Sequence, residues 1–100
     1  MYRLQINNHL EFAAEPYKRK LRFVVYENNE ESVCRIESIK NMELFMQTKT
    51  SRIFKGRLQL YKINSKINVE VKGNRIGSIT VPQLKQMITS LHHPSINIKP

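Results

Sequence analysis

Aspartate and tryptophan are absent from this 100-residue chain, and cysteine occurs once, at Cys34. A single thiol forms no intrachain disulfide and closes no cysteine-based zinc site. The chain therefore reads as the resident of a reducing, cytoplasmic compartment. Without Asp, acid–base chemistry would rest on eight Glu and three His. No glycine-rich phosphate loop, HExxH or GxSxG is present, so no catalytic, metal-binding or cofactor-binding residue is assigned and a non-enzymatic role is expected. Apolar runs fall well short of the roughly 18–20 residues that span a bilayer. Met1–Leu10 is broken by Asn7, Asn8 and His9 where a signal peptide needs an apolar stretch, and no membrane partner is expected.

Acidic residues are also scarce in more than half of the chain. The formal charge is +9, from 17 Lys+Arg against 8 Asp+Glu. Residues 1–43 carry seven basic and seven acidic side chains, whereas residues 44–100 carry ten basic side chains against Glu70 alone. A lysine-rich composition explains the cations but not the loss of acids. A one-sided excess of this kind is the electrostatic footprint of a polyanion partner.

What is present is foldable. Hydrophobic residues make up 40% of the chain, enough for one domain, placed at 1–94 with a loose tail over 95–100. Short apolar alternations broken by polar dipeptides predict strands joined by turns. Tyr2, Leu4 and Ile6 alternate with polar residues, Asn7-Asn8 turns the chain, and Leu10, Phe12 and Ala14 return. Leu21–Glu27 is rich in β-formers. Arg52–Ile63 reads as one long strand, bulged at Gly56, and Lys66–Lys72 and Arg75–Thr80 flank a Gly73-Asn74 turn. No internal repeat is visible.

Two stretches bear on helix content. Residues 32–48 fit a strand pair turning at Lys40-Asn41, with Met42, Leu44 and Met46 on one face. They also fit a helix through Val33, Ile36, Ile39 and Met42, but that three-residue period drifts around a helix, so strands are expected. Val81–His92 is the helix: Thr80 and Gln83 form a capping box, Pro82 sits in the first turn, and Pro94 stops it. The expected class is α+β and mostly β. It is a curved antiparallel β-meander of about six to eight strands, barrel-like or half-barrel, with one C-terminal helix over 81–92.

Extended, the 52–63 tract aims Lys55, Arg57, Gln59 and Tyr61 to one side and Phe54, Leu58 and Leu60 to the other. Cations that track phosphates beside a ring that stacks on bases suit single-stranded nucleic acid. Lys66, Asn68 and Lys72 extend that face, and Arg75 sits at the hairpin tip. A second cluster, Lys18, Arg19, Lys20 and Arg22 beside Tyr17, could touch a phosphate backbone. Elsewhere the bland readings dominate. Cys34 is expected as a small buried residue, His92-His93 as a helix terminus, and Glu30-Glu31 as an acidic turn. Met42, Leu44, Phe45 and Met46 form the densest apolar cluster, either core or a partner surface.

The end of the chain runs Ile67–Val71, a Gly-Asn turn, Ile76–Thr80 and then Val81-Pro82-Gln83-Leu84-Lys85. That strand–strand–helix order resembles the meander-plus-helix single-strand binders of the whirly type. The resemblance implies a nucleic-acid partner. The expected function is thus a small basic module that prefers single-stranded DNA or RNA and is weakly sequence-specific. The alternative is a protein-interaction module, an inhibitor, adaptor or assembly subunit, that docks on an acidic protein surface. An open sheet edge would also allow edge-to-edge pairing into a homodimer.

Overall fold

The computed structural model describes residues 1–49 and 51–92. The chain begins with β1 (Tyr2–Gln5), β2 (Leu10–Tyr17), β3 (Lys20–Glu27) and β4 (Glu30–Glu37), an antiparallel meander in that order. Helix α1 (Ile39–Gln47) follows. A second meander holds β5 (Arg52–Ile53), β6 (Leu58–Ile63), β7 (Lys66–Val71) and β8 (Asn74–Thr80), and α2 (Val81–Leu91) completes the described fold. The mostly β class and the C-terminal helix are as expected. The strands form two four-stranded sheets rather than one closed barrel. No repeat is visible in the residues, yet each half runs four antiparallel strands and then a helix.

The hairpins follow from turn chemistry. Asn7 Oδ1 accepts from the backbone N–H groups of His9 and Leu10 at 3.0 and 3.1 Å, closing the β1–β2 connection. Asn28-Asn29 and Lys72-Gly73 each have both central residues at positive φ, the twist that two-residue hairpins require.

Along β2 and β3, Phe12, Ala14, Phe23 and Val25 face inward, while Leu60, Ile67, Val69 and Ile79 face inward from the second sheet. They join Leu84 and Met87 of α2 in one hydrophobic cluster. Phe12 stacks on Phe23 with ring centroids 5.8 Å apart, and Phe54 tilts against Phe23 at 5.5 Å. The two sheets thus share a core, and each turns its outer face away from it. Gly77 of β8 marks where they meet: a Cβ built there would lie 2.1 Å from Ile6 Cγ2.

Two expectations are corrected. Residues 39–47 are helical, not a returning strand. The Ser38 hydroxyl accepts from Asn41 N at 3.1 Å, capping the helix N-terminus. Met42 and Phe45, three residues apart, fill the core, while Leu44 is 47% exposed. The apparent period-two pattern of Met42, Leu44 and Met46 therefore does not describe one face. At the other end, the Lys62 ammonium donates to the carbonyl oxygens of Phe45 and Thr48 and lies 5.0 Å from the centroid of the Phe45 ring. A cation there satisfies end carbonyls that the helix leaves unpaired.

The single helix expected at the C-terminus is joined by this second one. Helix α2 itself has the expected cap, with Thr80 Oγ1 accepting from Gln83 N at 3.1 Å and Gln83 Oε1 accepting from Thr80 N at 2.8 Å. His92 is its C-cap. His93, Pro94 and the tail over 95–100 lie outside the described residues.

Candidate nucleic-acid interface

The tract Arg52–Ile63 is not one strand. β5 and β6 pair antiparallel, with Arg52 opposite Tyr61 and Ile53 opposite Leu60. Between them Phe54 and Gly56 take φ of 74° and 101°. A left-handed Phe costs on the order of 1 kcal/mol; the turn it makes sends its ring into the core, where it is 7% exposed. Lys55 and Arg57 accordingly leave the sheet face and occupy this turn, both exposed. Their backbone carbonyls are held, Lys55 O by Arg35 Nη1 at 2.9 Å and Arg57 O by Lys72 N at 2.7 Å. The fold-back also brings Arg52 onto the outer face. Alternation along an unbroken strand would have placed it inward, so sequence reasoning missed it.

On that outer face Tyr61 pairs across the ladder with Asn68, and Asn68 with Ser78. One row away Gln59 stands opposite Glu70, and Glu70 opposite Arg75; on the other side Ile63 stands opposite Lys66. The Arg52 guanidinium lies over the Tyr61 ring, 4.6 Å from its centroid. It also donates to Gln59 Oε1 at 2.7 Å and to Glu70 Oε1 at 2.6 Å. Glu70, the sole carboxylate on the face, is thereby neutralised. Lys66 and Arg75 form no ion pair among the described residues. Together with Ile63, Asn64, Ser65 and Asn68 they line one open depression.

The other sequence-predicted cations lie elsewhere. Lys72 sits in the β7–β8 turn and lines a depression shared with Glu27, Glu30 and Glu31, so its field is opposed by acids. Lys18, Arg19 and Lys20 form the β2–β3 turn, at the far end of the eight-residue β3 from Glu27. That is roughly 23 Å away at about 3.3 Å per residue. Arg22 is already committed, donating to Glu31 at 2.5 Å and Glu15 at 2.8 Å. Those hydrogen bonds, Glu31's first, raise its pKa above the ordinary arginine value despite partial desolvation. The eleven predicted contact residues are thus not one surface: Gln59, Tyr61, Lys66 and Arg75 share the outer face of the second sheet, Lys55, Arg57 and Lys72 sit in turns at one end of it, where Lys72 N meets Arg57 O, and the Lys18–Arg22 cluster belongs to the first sheet.

Cys34 is exposed on the outer face of the first sheet, not buried. It stands opposite Val24, whose own side chain is covered. No family model, no curated protein and no solved structure matches the chain.

Proposed function

We propose that the chain is a small nucleic-acid-binding module that holds single strands on the outer face of its second sheet with little sequence preference. The observation that carries this reading is the Arg52–Tyr61 stack flanked by unpaired Lys66 and Arg75. A guanidinium stacked on a ring offers a flat platform on which a splayed base can lie, and with the Arg52 charge balanced by Glu70 the cations left to meet phosphates are Lys66 and Arg75. Lys66 and Arg75 stand to either side of Asn68 to meet successive phosphates. Such contacts position the strand and carry no sequence information. A duplex hides its base faces inside the stack, so this platform favours single strands.

The test is fluorescence anisotropy with labelled single-stranded DNA, single-stranded RNA and duplex DNA at several salt concentrations. Each phosphate contact contributes about 0.7 to the salt slope on single strands. Replacing Lys66 and Arg75 by Ala should therefore lower the slope by up to about 1.4. Tyr61→Ala should weaken single-strand binding by about 1–3 kcal/mol while leaving that slope in place. An unchanged slope in the Lys66/Arg75 double variant would remove this face from the reading.

A further inference from the structure

A second surface lies on the first sheet and differs in chemistry. At the β2–β3 turn, Tyr17 and Ile36 are 41% and 39% exposed. Both project from the outer face of the first sheet, where Tyr17 stands opposite Lys20 and Ile36 opposite Arg22. They line one depression whose remaining wall is Lys18, Arg19 and Lys20. No carboxylate lines it. The nearest acids on this sheet face, Glu15 and Glu31, are both bound to Arg22. The patch therefore has an apolar floor and an uncompensated cationic rim.

We infer that this hairpin end docks an acidic peptide segment in which carboxylates flank an aliphatic or aromatic side chain. Charge complementarity selects the acids: three cations crowd one turn, none in an ion pair among the described residues. The apolar floor selects the hydrophobic residue. Ile36, half of that floor, is aliphatic and has no π-face for a base. An apolar anchor ringed by charge matches the anatomy of protein interfaces. The two surfaces are built on different sheets and share no residue, so this docking is independent of the sheet face assigned to nucleic acid.

The experiment is anisotropy of the full chain with a short fluorescein-labelled peptide alternating Glu and Leu, against a control alternating Glu and Ser. The Glu–Leu peptide should bind the more tightly. Tyr17→Ser with Ile36→Ser should weaken its binding by about tenfold and bring it to the level of the control. Lys18→Ala with Lys20→Ala should weaken both peptides. Lys66→Ala with Arg75→Ala should leave both unchanged. The substituted side chains are exposed, and a circular dichroism spectrum matching the parent confirms that the fold is kept. Equal binding of the two peptides, or no loss in the Tyr17/Ile36 variant, would overturn the inference. So would displacement by an oligothymidylate whose own binding depends on Lys18 and Lys20, which would assign the hairpin to nucleic acid.

Discussion

Gly77→Ala tests how the two sheets are locked together. The φ at Gly77 is not in the left-handed region, so Ala fits the backbone there. Taken alone, such a change stabilises by about 0.4–1 kcal/mol through the unfolded state. The new Cβ, however, would lie 2.1 Å from Ile6 Cγ2 and 3.5 Å from Ile6 Cβ. Carbon atoms in contact sit about 3.5–4.0 Å apart, so the Ile6 side chain, just beyond β1, must give way from β8 by roughly 1.5 Å. Overpacking of this kind costs about 1–3 kcal/mol. The net expectation is destabilisation by about 1–2 kcal/mol, a fall in Tm of about 4–15 °C for a domain of this size. Urea denaturation followed by circular dichroism measures it. Ile6→Ala removes the clashing methyl, so the double variant should be more stable than the sum of the single effects predicts, by at least about 1 kcal/mol. A stabilised Gly77→Ala protein, or strict additivity with Ile6→Ala, would refute the contact.

Three further outcomes follow from named contacts. Lys62→Met should cost about 1.5–3 kcal/mol, because the carbonyls of Phe45 and Thr48 lose a charged donor; chemical denaturation reads this, and a neutral result would remove Lys62 as the clasp between α1 and β6. Ser38→Ala should cost about 1 kcal/mol and reduce the helical signal, since it removes the acceptor for Asn41 N. Cys34 should react with a thiol reagent in native buffer as fast as in denaturant, because it is exposed; protection until unfolding would contradict its position.

Much of this protein was legible from local chemistry. The capping box of Thr80 and Gln83 and the alternation along β2, β3 and β7 are each decided within a few residues, and so is the presence of a tight turn between β7 and β8, although its centre is Lys72-Gly73 rather than the expected Gly73-Asn74. The clustering of cations after Glu43 was equally plain. Residues 39–47 were not legible, because Met42, Leu44 and Met46 satisfy a strand period while Ile39 and Met42 fit a helical one. What separates the two readings is whether Phe45 or Leu44 meets the core, together with a lysine far along the chain at position 62.

The same limit applies to the candidate interface. Composition placed a basic surface in the C-terminal part, and parity along a continuous strand then assigned Lys55 and Arg57 to it. Only the tertiary fold, by drawing Phe54 beneath Phe23, bends that tract into a hairpin, lifts Lys55 and Arg57 off the sheet and brings Arg52 over Tyr61. Sequence by itself determined the strand-rich class, the α2 boundaries and the sign of the charge, because these depend on residue type and near neighbours. Which cations act together was decided in three dimensions, because ion pairs such as Arg22 with Glu31 and Arg52 with Glu70 join residues that register, not sequence proximity, brings within reach.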